Sequence, residues 1–242
     1  MGLGTRAVTH GQDFRDISSV QLDQLGKYAE TPDGRGFRYA QAGAVNLARG
    51  KVCTNPAVDS NVVDVTVAAA AAVGATKVVI DAGGSITQDA YAQGSLTISD
   101  ATGEGGQYRV KGNTATSGAG EITVFLEDPL KDTALVADTS KATLEKNPWD
   151  GVIIVPATDQ ADFPAGVPNV AVTASYYFWI QTKGECAVWA DETFARGAPL
   201  TFGTGSAGQV EAVDAAGEMQ FAIAIEAASN ADDYPRVFLQ ID

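Results

Sequence analysis

Few side chains in this sequence are equipped for chemistry. The single histidine is His10, in a polar N-terminal stretch, so triads, His-rich metal sites and most acid–base mechanisms lack their usual group. Cys53 and Cys186 have no histidine nearby to generate a thiolate, and two buried free thiols are the default reading. The acidic pairs Asp159/Asp162 and Asp232/Asp233 lack the alternating oxygens and closing Glu of a calcium loop; they read as solvated surface. Gly203-Thr204-Gly205-Ser206-Ala207-Gly208 matches GxGxxG after a short apolar run, with Glu226 downstream. A dinucleotide site would also need a helix starting at those glycines. The following GQVEAVDAAGEM contains Gly217 and no apolar helical stripe, so a β-hairpin loop explains the glycines. No catalytic residue, cofactor or metal is expected.

The aromatic residues point elsewhere. Tyr176-Tyr177-Phe178-Trp179 places aromatics on both faces of one strand. One face must be core, and the other is expected to meet a second domain or another subunit, since Tyr and Trp join large apolar area to a polar tip. A sugar-binding platform using Trp179 or Trp189 is the competing use. The stretch from Tyr176 to Leu200 also has a shorter echo at Phe37 to Val52. Gln41, Gly43 and Ala48-Arg49-Gly50 match Gln181, Gly184 and Ala195-Arg196-Gly197. The copies read as equivalent strand pairs of one β-barrel, separated by an inserted β domain. A chance likeness between Gly-turn hairpins is the bland alternative.

These stretches must be positioned by strands. Residues 1–35 are polar and unpatterned, with Ile17, Val20, Leu22 and Leu25 as apolar anchors, and read as an arm or as a packed cover on their own domain. Val63, Val65 and Val67 alternate with polar residues, and Val78-Val79-Ile80 favours strand over the helix that Ala68 to Ala72 would allow. Leu96/Ile98, Tyr108/Val110 and Ile122/Val124/Leu126 alternate between turn signals, as a sandwich or barrel requires. Asp159 to Pro168 reads as a linker returning to the first domain. Phe221/Ile223/Ile225 and Val237/Leu239/Ile241 give the last strands, with Ala222 and Ala224 suggesting close backbone approach. The fold is expected to be all-β: a small β-barrel or sandwich from residues 36–60 and 159–242, an inserted β domain at 61–158, and an arm at 1–35.

The net charge of −14 argues against nucleic acid and against an anionic membrane as partners. It is uneven. Residues 1–60 carry seven Lys/Arg against six Asp/Glu, giving +1; residues 61–158 carry six against twelve, giving −6; residues 159–242 carry three against twelve, giving −9. Only the first section can approach an acidic partner without repulsion. The start, MGLGTRAVTHGQDF, shows no apolar core of a signal peptide, and no apolar run is long enough to span a bilayer, so synthesis in a cytoplasm is expected.

With these residues laid out, a family resemblance appears. YYFWIQTKGECAVWADETFARGAPLTF, followed by GQVEAVDA, FAIAIEA and YPRVFLQID, resembles the small β-barrel of tailed-phage capsid decoration (cement) proteins. YAQGSLTISDATGEGGQYRVKGN, with ITVFLEDPL and NPWDGV, resembles virion proteins of marine tailed phages. The chain departs from the decoration pattern at Ala222-Ile223-Ala224, where that family tends to read apolar-Gly-x-Ala. The resemblance implies a non-enzymatic virion protein, made in the host cytoplasm, that binds the major capsid protein on the outer capsid surface as a homotrimer. A receptor- or glycan-binding head fibre or tail accessory protein is the alternative. Phe14, Arg15, Ile17, Val20, Leu22 and Leu25 of the arm, with Tyr177 and Trp179, are the expected partner-binding residues.

Overall fold

A computed structural model describes residues 12–158 and 163–242. The chain is all-β, and it divides into unit 1, residues 1–56 with 148–242, and unit 2, residues 57–147. The first strands are β1 (Tyr28–Glu30), β2 (Gly36–Ala42) and β3 (Cys53–Thr54). Unit 2 contributes β4 (Val65–Ala69), β5 (Lys77–Ala82), β6 (Ser95–Asp100), β7 (Gln107–Asn113), β8 (Gly120–Leu126) and β9 (Lys141–Glu145). Then come β10 (Asp150–Ile154), β11 (Pro164–Pro168), β12 (Tyr177–Ala187) and β13 (Pro199–Phe202). Last are β14 (Val210–Ala212), β15 (Ala222–Ala224) and β16 (Arg236–Gln240).

Unit 2 is a barrel in which β4-β5-β8-β7-β6-β9 close on themselves, every pairing antiparallel. Alternation in the sequence explains it: Val78 and Ile80, Leu96 and Ile98, and Ile122, Val124 and Leu126 all point into one core. Closure leaves no unpaired edge.

Unit 1 repeats one topology twice. In ring A, β2 is parallel to β10, and the antiparallel pairs β10–β3, β3–β11, β11–β12 and β12–β2 complete a five-strand circuit. In ring B, the second half of β12 takes the place of β2. It pairs with β16, then β16–β15, β15–β13 and β13–β14 follow, and a parallel bridge from Ala190 to Val210 closes the circuit. The order of strands and their directions are the same in both. The core of ring A holds Ala40, Leu47, Cys53, Val152, Val172, Phe178 and Ile180; that of ring B holds Val188, Phe194, Leu200, Phe202, Val210, Ala222 and Val237.

The Ala-Arg-Gly signature sits at one turn in each ring. Leu47 bridges Val172 just before Ala48-Arg49-Gly50, and Phe194 bridges Ala228 just before Ala195-Arg196-Gly197. Gly50 and Gly197 take φ of 74° and 85°, and their amides donate to Pro168 O at 2.9 Å and Ala224 O at 2.8 Å. The duplication is therefore two rings rather than equivalent pairs of one barrel. Ala42 and Ala190 occupy matching places before these turns, so the Gln41/Gln181 and Gly43/Gly184 likeness is coincidental. Gly184, φ 85°, marks an irregularity inside β12 and not a hairpin.

Three other expectations change. β10, expected in the inserted domain, pairs with β2 and β3 and belongs to unit 1. Pro164–Pro168, expected as linker, is a buried strand between β3 and β12. Its prolines stand at the strand ends, and Gly166 (φ 138°) lies where a Cβ would come within 2.5 Å of Gln181 O. Ala222 and Ala224 face the ring B core, whereas Ile223 on the other face is half-buried. Residues 12–35 pack on ring A, with β1 paired to β2 and Leu25 buried.

Unit 2 enters between β3 and β10, the position filled in ring B by the short Gly203–Gln209 connection between β13 and β14. The strands it interrupts are antiparallel neighbours, with Thr54 opposite Ile153. Replacing Ala57–Asn147 by a seven-residue copy of that connection should leave unit 1 with a cooperative thermal transition and β-type circular dichroism. A chain without a cooperative transition would show that ring A needs unit 2 to close.

Candidate functional site

The outer face of β2 and β12 carries the aromatics. Trp179 stands opposite Tyr39, and Gln181 opposite Phe37, so Phe37, Tyr39, Tyr177 and Trp179 gather on the side away from the ring A core. Residues 12–27 cover them. The Phe14 ring stacks on Phe37 with centroids 4.0 Å apart and meets Trp179 edge-on at 5.9 Å; Trp179 meets Tyr39 edge-on at 5.2 Å. Polar tips are satisfied by the same segment. Trp179 Nε1 donates to Gln12 Oε1 at 3.3 Å, and Leu22 N donates to Tyr39 Oη at 3.0 Å. Ser18 and Tyr177 exchange backbone hydrogen bonds of 2.9 and 2.7 Å. Burial raises the hydroxyl pKa of both Tyr39 and Tyr177, which keeps these rings neutral.

The second face of this strand was expected to meet another domain or subunit; the chain's own N-terminal segment occupies it instead. Of the residues expected to bind a partner, Leu25 and Trp179 are buried, and Phe14 and Tyr177 are half-buried. Arg15 is exposed, as are Ile17 (39%), Val20 (63%) and Leu22 (36%). The covering segment thus has an aromatic-facing side and an outward side with its own apolar groups.

Ring B shows what the face becomes without a cover. Its matching positions are Glu185, Ala187, Arg236 and Phe238, all exposed. Arg236 reaches Glu185 at 3.1 Å and Glu226 at 3.2 Å. The aromatics of ring A therefore answer the arm and not the barrel core, which is of similar composition in both rings.

The remaining chemical candidates are each engaged internally. The GxGxxG glycines form the β13–β14 connection, and a strand follows them, not a helix. Gly205 N donates to Asp191 Oδ2 at 2.6 Å and Thr204 N to Glu211 Oε2 at 3.0 Å, so carboxylates stand where a pyrophosphate would have to lie. Burial raises the pKa of Glu211 against the two Thr204 hydrogen bonds, and Asp191 adds to the rise. Asp233 Oδ2 caps the amides of Ser229 and Asn230, and Asp232 Oδ1 accepts from Gln209 Nε2 at 3.0 Å. Trp189 is half-buried with Lys51 Nζ 4.1 Å from its ring centroid, which competes with a sugar for that face. His10, Asp159 and Asp162 lie outside the described residues.

Two features had no sequence signal. Arg38 grips Asp242 with two hydrogen bonds of 2.8 and 2.9 Å, while Thr182 Oγ1 donates to Asp242 Oδ2 at 2.7 Å. The partners are 204 positions apart, which no local pattern reveals. Arg49, singled out only as part of the repeat, borders a cavity together with Arg15.

Compared with family models, curated proteins and solved structures, the chain matches none.

Both cysteines are buried, and burial pushes the Cys186 thiol up to about 12 and the Cys53 thiol higher still. Neither thiol should react with a disulfide reagent at pH 8 until the protein unfolds; rapid labelling of the native chain would contradict this burial. For Asp242, burial raises the pKa, but the hydrogen bonds from Arg38 and Thr182 outweigh it and hold the carboxyl below its ordinary 3.8. Its contribution is therefore present above that value and lost as pH falls through the lowered folded pKa. Asp242→Asn should cost about 1 kcal/mol at pH 7, with the difference from wild type shrinking in melts below the ordinary carboxyl pKa. An unchanged difference at acid pH would point to packing instead of charge.

Proposed function

We propose that this chain is a non-enzymatic virion structural protein. In this reading it decorates and stabilises the outer surface of a tailed-phage capsid by binding the major capsid protein, acting as a homotrimer. The observation that carries the reading is the N-terminal segment. It is locked onto ring A by Phe14, Ser18 and Leu22, yet it turns Ile17 and Val20 to solvent. An adhesive strip held by a rigid barrel binds with little ordering cost, because the segment is already in place.

Several properties support it. A standard interface covers only about 800 Å² per partner. Repetition over a symmetric lattice converts such contacts into lasting attachment. The acidic remainder keeps coated particles apart in solution. The family resemblance described above points the same way, and Cys53, Cys186, Asp232, Asp233 and the Gly203–Gly208 loop are occupied by internal contacts.

The test is co-sedimentation of the purified chain with expanded capsids of a phage that encodes it. Wild type should pellet with the capsids. A variant with Ile17→Ser, Val20→Ser and Leu22→Ser should keep its melting temperature within a few degrees, since exposed substitutions usually change stability by less than about 0.5 kcal/mol each, and should stay in the supernatant. Failure of the wild-type chain to pellet would overturn the capsid reading. Pelleting of the triple variant at wild-type levels would overturn the assignment of the surface.

A further inference from the structure

Beside the apolar strip lies a feature of opposite character. Arg15, Arg49, Asn169, Val170 and Ala171 line an open cavity of about 660 Å³ in unit 1. Its two arginines come from elements that the fold fixes. Arg15 belongs to the covering segment, and Arg49 to the Leu47–Gly50 turn, which is pinned by the Leu47–Val172 bridge and the Gly50 N to Pro168 O hydrogen bond. Residues 169–171 lead directly into Val172. Asn169 is held by donating Nδ2 to Gln181 Oε1 at 3.0 Å.

In a chain with 30 acidic and 16 basic residues, arginines usually find carboxylates. Arg35, Arg38, Arg109 and Arg236 do so. Arg15, Arg49 and Arg196 have no carboxylate within 4.0 Å among the described residues, and of these three Arg15 and Arg49 border the same cavity. The acids nearest in sequence to Arg15 are turned onto backbone. Asp13 Oδ1 accepts from Arg15 N at 3.0 Å, and Asp16 Oδ2 accepts from Asp13 N at 2.8 Å. Two arginines without an ion-pair partner among the described residues thus line one cavity.

We propose that Arg15 and Arg49 form a receptor for a carboxylate carried on an acidic segment of a protein partner. The chemistry of the surroundings selects that class. The cavity is far roomier than one small anion needs, and exposed arginines hold a free ion weakly in water. Ile17, Val20 and Leu22 follow Arg15 on the same segment and suit apolar side chains flanking the acid. Repulsion from the rest of the chain is limited, because the field is screened within about 10 Å at 0.1 M salt, and residues 1–60 carry no net negative charge. The inference rests on the reading above only in taking the partner to be a protein, and it specifies what the partner must present.

The full chain is titrated with a fluorescent peptide of alternating glutamate and leucine, and separately with inorganic phosphate, followed by anisotropy and by NMR. The peptide should bind, more weakly as salt rises, and Arg15→Gln or Arg49→Gln should each weaken it about five- to tenfold with unchanged melting. Arg196→Gln removes the same charge from the matching turn of ring B and should leave binding as in wild type. No peptide binding, or an equal loss in Arg196→Gln, would overturn the proposal, and phosphate binding with an inert peptide would overturn the choice of a protein carboxylate. A chain that binds this peptide but not capsids would remove the capsid reading and leave the site standing.

Discussion

One strand has to serve two closed rings. The first half of β12 closes ring A against β2 and β11, and its second half opens ring B against β16. A continuous ladder cannot do both, because each ring imposes its own register and curvature. The change happens between Gln181 and Gly184. The β2 register shifts between Gln181 and Lys183, and Gly184 takes a positive φ. The buried Gln181 amide holds the break in place, with Nε2 donating to Lys183 O at 3.0 Å and Glu185 O at 2.8 Å while Oε1 accepts from Asn169. Without that amide both carbonyls at the bend would lose this side-chain donor, and the buried Gln181 side chain could not brace the register shift.

Everything placed around β12 inherits this geometry. The ring A half offers its outer face to the N-terminal segment, and the aromatic cluster there makes the segment part of the domain. The ring B half offers a charged and exposed face at the matching positions. Asn169, which braces Gln181, also lines the cavity bordered by Arg15 and Arg49. The bend in β12 and the proposed carboxylate site thus share one hydrogen bond between side-chain amides. The large insertion, by contrast, hangs from a hairpin position that the other ring closes with a short loop, so the duplicated topology tolerates it without altering its own ladder.

Parts of this were legible in the chain. Alternation at Val78/Ile80, Leu96/Ile98, Ile122/Val124 and Val237/Leu239 announced strands with one buried face, and all four pairs lie in cores. Glycines followed by no helical stripe identified the Gly203–Gly208 loop as a connection. Other parts were not legible, for stated reasons. β11 reads PAGVP, and proline with glycine signals a turn unless Gly166 is known to meet the β12 backbone. The true repeat was visible only at Ala-Arg-Gly, since a positive-φ turn constrains residue type whereas the strands before it need only be apolar on one side. β10 looked continuous with the inserted domain because nothing local in Asp150–Ile154 names its neighbours.

The amino-acid sequence by itself determined the all-β class, most strand faces and the scarcity of reactive groups, because these follow from period-two patterning and from side-chain chemistry within a few residues. The tertiary structure alone decided that the second aromatic face is covered by residues 12–27, that one strand joins two rings, and that Arg15 and Arg49 line a common cavity. Those outcomes depend on contacts between residues far apart in the chain, such as Phe14 with Trp179 and Arg38 with Asp242, and sequence spacing carries no record of such distances.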